Sequence, residues 1–205
     1  TKLLEVPDEI FEVLYGGAAY SGKTFILTLL PLIRGWYKYR GFKGLILRKT
    51  FPDLEKENIR LSKEWYPATG AIYNEQKHSW HWPEFGSYVD FGHIQHSSTV
   101  IQYDSAQFNY VFFDELTHFD QYPYVYLTGS RVRPSSEFNI ALVRNGTNPG
   151  GIGHTWVYKR FIKPHELGGK VIKDINTGLY RIFIPARLED NPYGLEYDPL
   201  YAQKL

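Results

Sequence analysis

Residues Gly17-Ala18-Ala19-Tyr20-Ser21-Gly22-Lys23-Thr24 follow the pattern G-x-x-x-x-G-K-T. That spacing suits a phosphate. Glycines let the backbone curl until successive N–H groups converge on phosphate oxygens. A lysine in this place reaches the β- and γ-phosphates, and the hydroxyl after it can bind Mg²⁺. The helix that follows sets its positive dipole end under the anion. The nucleotide-binding set is therefore Gly17, Ala18, Ala19, Tyr20, Ser21, Gly22, Lys23, Thr24 and Phe25.

A second cluster lies at Tyr110-Val111-Phe112-Phe113-Asp114-Glu115, an apolar run ending in two acids. A strand would deliver Asp114 to the carboxyl edge of a sheet, where open α/β folds bind ligands. There Asp114 can hold Mg²⁺ together with Thr24, the Walker B role. Glu115 can orient and deprotonate an attacking water. Nucleoside kinases and small GTPases generally lack this adjacent glutamate, so the pair points to hydrolysis. A third cluster, Asn145-Gly146-Thr147-Asn148-Pro149-Gly150-Gly151, ends the next apolar run. Thr147 and Asn148 can touch a γ-phosphate or the attacking water there, or the segment is a plain Asn-Pro-Gly turn.

These residues need strands and helices to hold them. Strands are expected at Glu12 to Tyr15, Gly44 to Arg48, Asn109 to Asp114, Asn139 to Thr147 and Tyr180 to Pro185. Leu45-Ile46-Leu47 and Val111-Phe112-Phe113 are short apolar runs of the kind buried on both faces of a parallel sheet. Helices are expected at Lys23 to Tyr39, with a kink at Pro31, at Pro52 to Trp65, at Gln121 to Arg131 and at Thr155 to Ile162. His78 to Trp82 and Ser87 to Phe91, around a turn with Gly86, read as an antiparallel hairpin inserted beside the parallel core. The fold class is α/β: a P-loop NTPase of the additional-glutamate, RecA-like kind, its mostly parallel central sheet carrying helices on both faces.

The totals fit one domain. The chain has 205 residues, 43% hydrophobic and 22% charged, with a net charge of +1. Any nucleic-acid contact must then come from a local patch. No run of 18 apolar residues exists, and Glu5, Asp8, Glu9 and Glu12 interrupt any secretory core. Zero cysteines exclude disulfides and fit a cytosolic compartment. Methionine is absent even at position 1, so the chain reads as a fragment or a processed form. The 17% aromatic content reads as core packing rather than a base-stacking platform.

Taken in order, GGAAYSGKT, LILRKTFPDLE, FNYVFFDELTHF, GTNPGGIGH and LEDNPY resemble the ATPase domain of the large terminase subunit of tailed bacteriophages, from about Leu14 to Leu205. The resemblance implies ATP and Mg²⁺ as cofactors, Lys23 and Thr24 as the Walker A pair, Asp114 and Glu115 as Walker B with its catalytic glutamate, and Thr147 and Asn148 as the coupling motif. It implies a motor that hydrolyses ATP to move double-stranded DNA into a procapsid in the host cell cytoplasm. Its partners would be a portal protein and a small terminase subunit. It would form a homo-oligomeric ring when packaging and a monomer in isolation, with no membrane. It also implies that residues 1–187 are the ATPase domain and 188–205 a linker, with a short helix around Pro199 to Leu205, toward a nuclease domain absent here. The coupling strand is expected between the two Walker strands. A helicase-like or other nucleic-acid-translocating P-loop ATPase is the alternative, and a non-hydrolysing nucleotide-binding module stands further off.

The chain departs from the family in places. The arginine that many terminases carry in the phosphate loop is missing at Ala18, Ala19 and Tyr20. Arg131 and Arg133 are candidate arginine fingers, from this chain or a neighbouring subunit, with surface or DNA-phosphate roles as alternatives. Arg48 can contact nucleotide or hold a salt bridge. No Gln precedes residue 76, so the adenine would rest on contacts near Val6 to Phe11 or on an element outside the chain. His78/His81 and His93/His96 repeat an H-x-x-H spacing, which on strands points to opposite faces and away from a shared metal. Lys159, Arg160 and Lys163 form a basic stretch, either a solvated helix face or a DNA contact.

Overall fold

The computed structural model describes residues 2–18 and 21–186. Nine strands form one sheet: β1 (Glu12–Gly17), β2 (Lys43–Arg48), β3 (Ile72–Asn74), β4 (Ser79–Trp82), β5 (Ser87–His93), β6 (Tyr110–Phe113), β7 (Leu142–Thr147), β8 (Val171–Lys173) and β9 (Tyr180–Ala186). Their order is β3-β4-β5-β2-β6-β7-β1-β9-β8. From β5 to β9 every neighbouring pair is parallel. The outer pairs β3–β4, β4–β5 and β8–β9 are antiparallel. All five expected strands are present, and β7 lies between β1 and β6. Asn145 sits opposite Phe113, and Thr147 sits opposite Gly16. The parallel register therefore brings the ends of β1, β6 and β7 to one edge.

Several expectations change in detail. The antiparallel hairpin is present as β4 and β5, and it joins the core directly, because β5 pairs in parallel with β2 and continues the same sheet. β7 begins at Leu142 rather than Asn139, since its partners begin only at Glu12 and Tyr110. β3 and β8 were not expected; both are three-residue edge strands, too short to show a period. The first helix, α1 (Lys23–Ile33), stops at Arg34 because Gly35 turns left-handed at φ 68°, and a 3-10 turn, Trp36–Lys38, follows. Pro31 lies inside α1, where it cannot donate to the carbonyl of Leu27. The Tyr110 hydroxyl donates to that carbonyl instead, at 2.8 Å. A strand residue thus satisfies the group that proline orphans.

The expected helix over residues 52–65 runs from 51 to 65 in three parts: α2 (Phe51–Leu54), a π turn (Glu55–Ile59) and α3 (Arg60–Trp65). Thr50 caps its start, accepting from the Asp53 N–H, with Pro52 in the first turn. α4 (Gln121–Ser130) and α5 (His154–Val157) with the π turn Tyr158–Ile162 complete the helices.

Alternation along the strands feeds two cores. Ile46, Tyr110 and Phe112 face one, with α1, Trp36, Phe42 and the hairpin tryptophans. Leu45, Leu47, Val111 and Phe113 face the other, with Tyr124, Phe119 and Phe161. The aromatic residues therefore largely pack on one another, as in the Trp36–Tyr110 and Phe113–Tyr124 pairs. His78 and His93 lie against Phe51, and His81 stacks on Tyr88. The linker and final helix expected beyond residue 187 lie outside the described residues.

Candidate nucleotide site

β1 ends in the glycine loop, and the loop leads straight into α1. Ala18 N–H donates to the carbonyl of Ala186 at 2.9 Å, which ties the loop to β9. Gly17 has φ 133°, and a Cβ there would come within 2.7 Å of the same carbonyl, so only glycine fits. Lys23 is buried, and its ammonium donates to the Ser21 hydroxyl at 2.9 Å and to the Ala18 carbonyl. Burial lowers the Lys23 amine to about 8, against the attraction of Asp114 and Glu115. Of the remaining loop residues, Ala19 and Tyr20 lie outside the described residues. Phe25 is half exposed and meets Trp65 edge-on at 5.8 Å.

β6 carries Asp114 to the edge. The Asp114 N–H still donates to Leu47 in β2, at 2.8 Å, so its backbone is held by the sheet. The residue is 2% exposed. The Thr24 hydroxyl is 3.1 Å from each of its oxygens, and the Asn58 amide donates to Oδ2 at 3.3 Å. Arg48 Nε stands 3.7 Å from Oδ2. Burial pushes the Asp114 carboxyl above its usual range; Arg48, Asn58 and Thr24 pull it back toward the charged form, while Glu115 adds to the rise.

Glu115 leaves the strand in a left-handed conformation, φ 55° and ψ 55°, rare for a residue with a Cβ. Such strain persists only where the surroundings hold it. Here Arg48 Nη2 lies 3.0 Å from Oε1 and His118 Nδ1 lies 2.9 Å from Oε2. Arg48 thus forms ion pairs with both acids, one of the two roles open to it from sequence.

The turn after Glu115 is wired to the end of β7. The Thr147 hydroxyl donates to that of Thr117 at 3.1 Å, and Thr117 donates to the Asn148 carbonyl at 3.0 Å. The Gly153 N–H donates to the Thr117 carbonyl at 2.8 Å. Ser21, Gly22, Lys23, Thr24, Phe25, Glu57, Asp114, Glu115, Thr147 and Asn148 together line a pocket of about 320 Å³. That lies in the usual range for small-molecule sites, roughly 300–1,000 Å³. Four segments far apart in sequence therefore converge.

The two candidate finger arginines are elsewhere. Phe108, two residues before β6, donates to the Arg131 carbonyl and accepts from the Arg133 N–H, both at 2.9 Å. They lie at the amino end of β6, six residues and about 20 Å of strand from Asp114. Arg131 reaches Asp104 at 3.5 Å, and Arg133 folds back on the Ser130 carbonyl. Neither enters this chain's own site. The basic stretch also divides: Arg160 turns inward and grips buried Glu12 with two bonds of 2.8 Å, leaving Lys159 and Lys163 exposed.

Asn58, Thr117, His118 and Glu57 complete the site and went unassigned in the sequence. Asn58 and Glu57 sit in a helix whose apolar period marks the inward face but not its polar use. Thr117 and His118 lie two and three residues after Glu115, close enough to be suspected and without a spacing that assigns them.

No protein-family model and no curated protein matches the chain. Solved structures do. One structure of the large terminase from a thermophilic bacteriophage aligns with TM-score 0.69 at 14% identity, over 94% of this chain and 45% of that one. The same terminase in complex with ADP aligns with TM-score 0.65 at 14% identity, over 94% and 45%. Its complex with ATP-γ-S aligns with TM-score 0.65 at 14% identity, over 90% and 41%. The chain spans less than half the length of these terminases. At this identity the likeness is one of fold alone: the chain shares the α/β fold of part of those terminases.

Proposed function

We propose that this chain is the ATPase domain of a viral DNA-packaging motor, a large terminase. It would bind ATP with Mg²⁺ at the phosphate loop and hydrolyse it to drive double-stranded DNA into a procapsid. The observation that carries this reading is the convergence of Lys23, Thr24, Asp114, Glu115 and Asn148 on one pocket. The nucleotides in the terminase complexes of the same fold support it further.

The donor set fits Mg²⁺. A hydroxyl and a carboxylate 3.1 Å apart are hard oxygen ligands, and Mg²⁺ is usually held by one or two protein oxygens plus phosphates and water. Thr24 and Asp114 would hold it, and the ion would neutralise charge developing on the phosphates. The chain's own residues do the rest. Lys23 would exchange its contacts with Ser21 and the Ala18 carbonyl for phosphate oxygens. Glu115 would take the proton of a water as its oxygen bonds to the γ-phosphorus and the bond to the β-bridging oxygen breaks. Asn148 would sense the γ-phosphate, and its tie through Thr117 to the Glu115 turn would pass the loss of phosphate to the loop leading into α5. Portal protein, small terminase subunit and a ring of copies are the partners this reading calls for.

Glu115→Gln is the direct test. It should keep ATP binding, measured by calorimetry, and lower phosphate release by roughly 100-fold or more. Unchanged turnover would sink the assignment.

A further inference from the structure

We infer that Asn58, on the π turn of the helix over residues 51–65, is a positioning residue that fixes the metal-binding carboxylate of Asp114. The inference rests on the nucleotide-and-metal reading above and deepens it.

Four side chains close a ring. Thr24 and Thr28 are one turn apart on the same face of α1. Thr24 touches Asp114 at 3.1 Å; Asn58 Nδ2 donates to Thr28 Oγ1 at 3.0 Å and to Asp114 Oδ2 at 3.3 Å. The amide therefore bridges the helix of the phosphate loop and the end of the Walker B strand.

Stability alone does not account for an asparagine here. Its side chain is 0% exposed, among neighbours such as Leu54, Ile59 and Leu61 that are buried and apolar. Its Oδ1 has no hydrogen-bond partner among the described residues. A buried unpaired amide oxygen costs free energy that an apolar side chain would not. The position also falls on a π turn, a distortion frequent at functional sites, and both Asn58 and Ile59 point inward there. What the amide adds is direction. Asn58 and Arg48 both engage Oδ2 of Asp114, so the carboxylate cannot turn about its last bond without losing them. Among the described residues Oδ1 keeps only the Thr24 hydroxyl as a hydrogen-bond partner. A carboxylate so held meets its metal in one orientation, and groups that orient ligands in this way matter about 10–100-fold in metal affinity.

The test is binding, not turnover. Mn²⁺ is titrated into the protein with saturating ADP and followed by electron paramagnetic resonance, and ADP affinity is measured separately in EDTA. Asn58→Leu, which keeps the number and branching of the side-chain heavy atoms, should weaken Mn²⁺ by roughly 10-fold or more and leave metal-free ADP affinity unchanged. Asn58→Ala is read in the same way if the leucine variant does not fold by circular dichroism. A folded variant with wild-type Mn²⁺ affinity, or one that loses ADP in EDTA equally, overturns the role of Asn58. A wild type that binds neither ADP nor Mn²⁺ overturns the underlying reading, and this inference with it.

Discussion

The two ends of β6 carry similar residue types and do different things with them. At the carboxyl end, Arg48 pairs with Asp114 and Glu115, the two acids that line the pocket. At the amino end, Arg131 and Arg133 spend their backbone groups on Phe108, and their side chains reach Asp104 and the Ser130 carbonyl. The first cluster is built on buried Arg48 and Asp114, with Glu115 partly buried, and is mutually dependent. The second is a strand edge sewn to the end of α4 with partly exposed side chains. Charge in the neighbourhood of a site is thus a poor guide to membership in it. Burial together with a shared partner is a better one.

The same substitution at both ends breaks the comparison most sharply. Arg48→Ala should remove the arginine paired with buried Asp114, and breaking such pairs costs on the order of 3 kcal/mol. Urea unfolding reads that loss, and phosphate release should fall with it because Glu115 loses its anchor. A variant as stable and active as wild type would deny Arg48 its place.

A second contrast sets Asp114 against Asp90, a carboxylate in β5 without a role in the pocket. Burial pushes the Asp90 carboxyl up to about 6, against the pull of Lys43 and Lys77. A carboxyl raised in the folded state binds its proton more tightly there than when unfolded, so stability falls as pH rises from about 4 to about 6. Asp90→Asn should therefore stabilise the protein at pH 7 to 8 by on the order of 1–2 kcal/mol, and lose that advantage below pH 4. Denaturant midpoints at two pH values check both halves. A destabilised variant at pH 7.5 would show that Asp90 is held as a needed charge.

The smallest effect is expected at the amino end. Arg131→Ala should change stability by less than about 1 kcal/mol, the range of exposed ion pairs. Turnover of dilute protein should be unchanged. A loss of turnover at low concentration would bring Arg131 into this chain's own site; a loss confined to assembled protein would make it a residue supplied to a neighbour.

Much of this was legible from residues that are close in sequence. The strand, glycine loop and helix around Lys23, and the apolar run ending in Asp114 and Glu115, carry their structure locally: backbone freedom at glycine, burial on both faces, a dipole at a helix start. What escaped did so for equally physical reasons. β3 and β8 are too short for a period. α1 ends early because Gly35 outweighs the apolar residues beyond it. Arg160 reads as part of a basic face, yet the fold supplies buried Glu12, 148 residues away, as its partner.

From its residue order alone, then, this protein has a glycine loop between strand and helix, an acid pair after a buried strand and a polar strand end, since each depends on neighbours within a few positions. Tertiary structure decided which of these meet. Strand order placed β7 between β1 and β6, and so set Thr147 and Asn148 beside the loop. Packing chose Arg48 over Arg131 and Arg133 for the acids, and folded Asn58 onto Asp114 across 56 positions. Periodicity reports which face of an element is buried; only the sheet's pairing reports what lies opposite.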